Sequence, residues 1–197
     1  VFLKIILASQ SPRRKQLLEW AEIPFEIIVK ETDESFPDDL TMKEIAVHIA
    51  LNKAKAVNTF LLNEGKNINN STPVLAADTI VVIDDKVIGK PKDREDAINI
   101  LQKLSGRKHE VITGVVILYK EKIIAFADVT EVTFHSLTNT QIEFYIDKYK
   151  PYDKAGAYAI QEWIGVIGIK SINGDFYNVM GLPVSKVLQA LNELRNS

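Results

Sequence analysis

The alternation of apolar and polar positions divides the chain into short strands and amphipathic helices. Phe2 to Ala8 is apolar and β-rich, which predicts a buried strand. Ser11 followed by Pro12 supplies an N-cap and a proline at the first helical position. A helix is therefore expected from there to about Ala21, with Leu17, Leu18 and Ala21 facing inward. Phe25 to Val29 predicts a second strand. Thr41-Met42-Lys43-Glu44 has the spacing of a capping box. The helix after it would carry Ile45, Ile49, Asn52, Ala56 and Phe60 on one stripe. Asn63 to Pro73, rich in Asn and holding Gly65, Ser71 and Pro73, reads as a surface loop.

Further along, Val74 to Ile83 predicts a strand that Asp84-Asp85 turns toward Val87-Ile88. Asp93 caps a helix with Ile98, Leu101 and Leu104 inward, and Gly106 follows its end. Val111 to Tyr119 and Ile123 to Phe134 read as long strands joined by Lys120-Glu121-Lys122. Thr138 to Gln141 repeats the capping-box spacing and opens a helix to about Asp147. Trp163 to Lys170 reads as a strand, and Pro183 opens a last helix to Leu194. Helices and strands alternate early and a long hairpin sits in the middle. The expected class is α/β with a mixed sheet rather than a uniformly parallel one.

Length and composition narrow the chemistry. The chain has 197 residues, 46% of them hydrophobic, enough for a single domain, 1–197, with its own core. It has no cysteine, which excludes a disulfide framework, a thiolate metal site and a thiol nucleophile. The net charge of −2 leaves no global basic surface for nucleic acid. No apolar run approaches the roughly 18 residues of a membrane span. Near the N-terminus the basic residues follow the apolar stretch, the wrong order for a secretory signal, so a cytoplasmic location is expected. Phosphate-binding glycine loops, H-E-x-x-H and G-x-S-x-G are all absent, and the 3 histidines share no ligand spacing.

Five segments offer chemistry. The first is Ala8-Ser9-Gln10-Ser11-Pro12-Arg13-Arg14-Lys15. A strand-to-helix junction aims free backbone N–H groups at one point. Ser9 and Ser11 add hydroxyls, and Arg13 and Arg14 add planar forks suited to phosphate. Cations in a first helical turn oppose the helix dipole, so three in a row favour a bound anion over a solvated basic face. The second is Asp78, in an apolar strand, where burial is costly unless the acid is paired or binds metal. An Asp facing water at a strand end is the plainer alternative. The third is Gly89-Lys90-Pro91, which holds Lys90 at a turn; as a bare motif it is equally a solvated lysine. The fourth is Glu31-Thr32-Asp33-Glu34 with Asp38-Asp39, either a set of hard oxygen ligands or a solvated acidic loop. Lys53 and Lys55 read most simply as a solvated helix face. The fifth is Asp153 to Gln161, whose small residues suit core packing, while Gln161 offers the donor and acceptor that a base edge requires. Phosphate-binding groups beside hard acids, without an evident covalent nucleophile, suggest metal-assisted attack of water on a phosphate ester or anhydride.

These segments resemble, in order and over nearly the whole chain, the Maf nucleoside triphosphate pyrophosphatases. The matching residues are Leu7-Ala8-Ser9-Gln10-Ser11-Pro12-Arg13-Arg14, Ala77-Asp78-Thr79, Gly89-Lys90-Pro91, Leu104-Ser105-Gly106, Thr113-Gly114-Val115, Asp153 to Tyr158, and Gly174 to Pro183. The resemblance implies a mixed, elongated sheet flanked by helices, with two lobes around a cleft, similar to the inosine triphosphate pyrophosphatases. It implies cleavage of a nucleoside triphosphate to monophosphate and pyrophosphate with a divalent cation, Mg²⁺ or Mn²⁺. Asp78 would then ready the water. Ser9, Ser11, Arg13, Arg14, Lys53 and Lys90 would hold phosphates, and Glu34 with Asp78 the metal. Arg13, Thr79 and Gln161 correspond to positions that set base preference, in the pattern of the dTTP- and UTP-hydrolysing group. The resemblance is also compatible with a homodimer, and it carries a rival reading as a non-catalytic regulator of septum formation. Two positions depart from the family pattern. Lys150 stands before Pro151 where Glu is usual, and Glu162-Trp163-Ile164 follows Gln161 in place of a glycine-containing turn.

Overall fold

The computed structural model describes residues 3–65 and 71–195. Phe2 of the first predicted strand and residues 66–70 of the predicted loop lie outside them. The elements run β1 (Ile5–Leu7), α1 (Pro12–Trp20), β2 (Phe25–Ile27), α2 (Met42–Asn63), β3 (Val74–Ile83), β4 (Lys86–Ile88), α3 (Arg94–Leu104), β5 (Lys108–Tyr119), β6 (Lys122–Phe134), α4 (Asn139–Tyr149), α5 (Trp163–Gly168), β7 (Ile169–Asn173), α6 (Phe176–Met180) and α7 (Val184–Arg195). The strands form one sheet in the order β2-β1-β3-β5-β6-β7, with β4 paired to β3. β1 is parallel to β2 and β3, while β4 and β7 run antiparallel to their neighbours. This is the mixed α/β class the sequence pattern predicts.

Two compact units divide the chain. The first comprises Val1–Asp78, Thr113–Asp128 and Gly181–Ser197, the second Thr79–Ile112 and Val129–Met180. Three of the four divisions fall inside β3, β5 and β6, so these strands contribute residues to both.

In the first unit, α2 packs Ala50, Ala54, Val57 and Leu61 on Ile6, Ala8, Val74, Ala76, Val116 and Leu118. Each large aliphatic side chain buried this way contributes about 1.5–3 kcal/mol. The buried stripe of α2 also takes in Ile45, Ala46 and Ile49, whereas Asn52, Ala56 and Phe60 of the predicted stripe are only half-buried. The helix lies close because its contact face is rich in alanine. A Cβ added to Gly114 of β5 would stand 2.2 Å from the Ala46 carbonyl carbon, so only glycine fits there.

In the second unit α3 packs on α4. Arg94 clasps Asp147 with Nε and Nη2 at 2.7 and 2.9 Å. His109, Phe134 and Tyr158 form an edge-to-face trio with ring centroids 5.0–5.5 Å apart.

The stretch predicted as one strand from Trp163 to Lys170 is instead α5 followed by β7. The reversal comes from Glu162, whose carbonyl accepts from the Gly165 and Val166 amides at 2.9 and 3.3 Å. Gly165 allows it, since a Cβ there would fall 1.7 Å from the Ile160 carbonyl oxygen. A short apolar run does not separate strand from helix by periodicity alone. Helix α6 was not expected at all. It buries Asn178, which donates to the Val111 carbonyl at 3.1 Å and to Thr130 Oγ1 at 3.0 Å. Among the described residues no helix is long and apolar enough to cross a membrane.

Candidate active site

The register of β1 on β3 builds the site. Ile6 pairs with Val74 and Leu7 with Leu75, and the Ala8 amide donates to the Leu75 carbonyl at 2.8 Å. β1 ends there, while β3 runs on to Ile83. Asp78 therefore stands on the part of β3 that outlasts β1, beside the turn in which Ser9 to Ser11 lead into α1. This is the carboxyl end of β1, and open α/β sheets bind ligands outside the carboxyl ends of their parallel strands.

Ser9 is buried, and its hydroxyl oxygen accepts from the Ser11 amide at 3.2 Å and from Arg14 Nη1 at 3.1 Å. Ser11 caps α1, its Oγ accepting from the Arg14 amide at 3.5 Å, with Pro12 next. Arg14 turns inward and is buried. Its Nε donates to the Gly181 carbonyl at 2.7 Å, which ties the start of α1 to the approach to α7. Burial lowers the pKa of its guanidinium, and the neighbouring charges of Asp78 and Glu34 oppose that shift while Arg13 adds to it. Arg13 follows Pro12 on α1 and is half-buried.

Lys53 reaches across from α2 to the same place. Its Nζ lies 2.6 Å from Asp78 Oδ1 and 2.7 Å from Glu34 Oε1. The Lys53 and Asp78 side chains are only 20% and 15% exposed, while that of Glu34 is 51% exposed. One ammonium thus pairs with two carboxylates from separate segments. Lys53 is not the solvated helix residue its sequence context suggested, and Glu34 stands apart from a merely solvated acidic loop. Ser9, Ser11, Arg13, Arg14, Glu34, Lys53 and Asp78 all belong to the first unit.

Among the described residues no group of three or more His, Cys, Asp or Glu could enclose a metal ion. The donors that fit one are Asp78 and Glu34. Both are hard oxygen ligands already held beside each other, the small protein share that Mg²⁺ needs when phosphates complete its shell.

Thr79, Lys90 and Gln161 belong to the second unit. Thr79 follows Asp78 on β3 and is half-buried. Lys90 is exposed in the turn after β4, between Gly89 and the buried Pro91. Gln161 is exposed and precedes Glu162, the N-cap of α5. The Gly156 amide donates to the Gly89 carbonyl at 3.1 Å, which ties the two segments together. Sequence reasoning passed over the buried Asp128 on β6, which accepts from Lys186 of α7 at 2.5 Å. The signal was present, because Asp128 ends the apolar run Ile123 to Ala127 much as Asp78 interrupts its own strand.

In sequence, the chain is 51% identical to a protein of Cytophaga hutchinsonii named dTTP/UTP pyrophosphatase, over 98% of this chain and 84% of that one. A protein of the same name from Parabacteroides distasonis is 48% identical over 95% of this chain and 94% of its own length. The solved structure of the Staphylococcus aureus Ham1 protein shares the fold, with a TM-score of 0.50 at 17% identity over 98% of this chain and 99% of that one. The model for the family described as Maf-like protein matches residues 4–194, and the chain belongs to that family.

Proposed function

We propose that this protein is a nucleoside triphosphate pyrophosphatase that hydrolyses dTTP and UTP, and related modified pyrimidine nucleotides, to the monophosphate and pyrophosphate. The observation that carries the reading is the Lys53 ammonium held between Asp78 and Glu34, beside the buried Arg14 at the start of α1. A purely regulatory nucleotide-binding protein has no need of two carboxylates gathered next to an anion-binding helix start. The relatives named dTTP/UTP pyrophosphatase support the same reaction and the same bases.

Asp78 takes the proton of the attacking water, which adds across the α–β phosphoanhydride as pyrophosphate departs. Lys53, 2.6 Å from its Oδ1, fixes the orientation of the Asp78 carboxylate. Ser9, Ser11, Arg13, Arg14, Lys53 and Lys90 bind the triphosphate. The N–H groups at the start of α1 and the guanidinium charge there oppose the charge that develops on phosphate oxygens. Glu34 and Asp78 are the residues that would hold a divalent cation, Mg²⁺ or Mn²⁺. When bound, such a cation polarises the anhydride. Arg13, Thr79 and Gln161 select the base. Action on free nucleotides fits a cytoplasmic location, and a homodimer belongs to the same reading.

The test is pyrophosphate release from a panel of nucleoside triphosphates, with and without Mg²⁺ or Mn²⁺, for the protein and for Asp78→Asn. Turnover should favour dTTP and UTP, require a cation and disappear in Asp78→Asn with the fold intact. Full activity in that variant would remove Asp78 from its role. No turnover of any nucleotide would favour the non-catalytic regulator.

A further inference from the structure

We propose that Tyr145 and Glu162 form a latch that positions Gln161 and thereby sets discrimination among nucleotide bases. The inference rests on the reading of Gln161 as a base-selecting residue and adds the residues through which it works.

Gln161 is exposed, yet the chain on either side of it is fixed. Before it, Ile160 is buried, and its carbonyl is covered by Gly165, where a Cβ would fall 1.7 Å from the oxygen. After it, Glu162 is tied down at its side chain. The hydroxyl of Tyr145, a fully buried residue of α4, donates to Glu162 Oε2. The same hydroxyl accepts from the Ala159 amide at 3.2 Å. One phenol therefore clamps the residue after Gln161 and the residue two before it. Lys154, whose side chain is 9% exposed, brings its Nζ within 3.6 Å of Glu162 Oε1 and within 2.8 Å of Asp153 Oδ1.

A buried phenol satisfied on both its donor and acceptor sides is a rigid anchor. The four-residue segment Ala159 to Glu162, held at both ends, gives the Gln161 side chain a restricted set of directions. An exposed amide that must choose between base edges benefits from that restriction, because ordering it on binding then costs less.

The experiment measures kcat and KM of pyrophosphate release for dTTP, UTP, CTP and GTP, well below the melting temperature. The variants are Gln161→Ala, Tyr145→Phe, Glu162→Ala and Glu162→Gln. Tyr145→Phe and Glu162→Ala should each lower the dTTP-to-GTP ratio of kcat/KM by about five- to tenfold, through KM for dTTP, with kcat near its original value. Glu162→Gln keeps an oxygen for the Tyr145 hydroxyl and should retain most of the discrimination. Equal losses on all four nucleotides would mean a merely structural role and overturn the latch. So would unchanged ratios in Tyr145→Phe and Glu162→Ala while Gln161→Ala flattens them. Unchanged ratios in Gln161→Ala would instead overturn the base-selecting role of Gln161, and the latch with it. If Glu162→Ala does not fold, Tyr145→Phe, which keeps the ring, and Glu162→Gln decide the matter.

Discussion

Replacing Lys53 with methionine removes the charge that joins Asp78 to Glu34 and keeps most of the side-chain volume. The ammonium lies 2.6 and 2.7 Å from the two carboxylates, with Lys53 and Asp78 mostly shielded and Glu34 half exposed. Two opposite unit charges about 4 Å apart attract by about 4 kcal/mol at an effective dielectric near 20. Desolvation of the ions and ordering of the lysine cancel most of that, and the exposed Glu34 arm is screened further. A net contribution of about 1–2 kcal/mol remains. The variant is left with two carboxylates side by side and no cation between them, so its melting temperature should fall by about 2–8 °C. Activity should fall further, by about 10²–10³ in kcat, because the reacting groups lose both orientation and charge. The decisive assay is a double-mutant cycle with Asp78→Asn, read by pyrophosphate release. If Lys53 acts through Asp78, the double variant should be about as slow as the worse single variant, because groups that act as a unit are not additive. Additive losses would refute the pairing. A Lys53→Met enzyme within threefold of the original rate would refute the role of Lys53 altogether.

Arg14→Ala leaves the Gly181 carbonyl and the Ser9 hydroxyl without their buried donor and should cost about 2–3 kcal/mol in urea denaturation; a loss below about 0.5 kcal/mol would mean that water replaces the guanidinium fully. His109 is pushed by burial from 6.5 down to about 4, so between those values the unfolded chain binds a proton that the folded chain does not. Stability should therefore decline as pH falls from about 6.5 toward 4, and His109→Gln should flatten that decline in urea melts taken across the window. Gly114→Ala should destabilise by at least about 2 kcal/mol through the clash with the Ala46 backbone, seen as a lower melting temperature.

Where the sequence was legible, local rules carried the information. Thr41 with Glu44 and Thr138 with Gln141 are capping boxes in the structure as in the spacing. Ser11 and Asp93 cap their helices through side-chain oxygens, as their positions before α1 and α3 predicted. Such caps depend on residues within one turn of each other, so no tertiary knowledge is needed. The stretch after Gln161 failed for the opposite reason. Its apolar residues suit strand and helix equally, and what decides is the contact of Gly165 with the Ile160 carbonyl. The buried stripe of α2 was displaced in the same way, because alanines such as Ala50 and Ala54 carry little hydrophobic signal yet permit the closest packing.

The candidate site divides along the same line. Ser9, Ser11 and Arg13 could be read as an anion site because the strand-to-helix junction is contiguous in sequence. Asp78 could be singled out because an acid inside an apolar strand needs a reason. That Lys53 and Glu34 meet Asp78 was not readable from spacing, since 25 residues separate Lys53 from Asp78. It follows from register. Once Leu7 pairs with Leu75, β1 stops and β3 continues. Asp78 then lies beyond the last β1 pairing, where its side chain meets Lys53 of α2. Moving that register by one residue would send Asp78 to the other face of the sheet and break its bond to Lys53. The pairing of the short buried β1 with the longer β3 therefore fixes the chemistry as firmly as the identity of the acid itself.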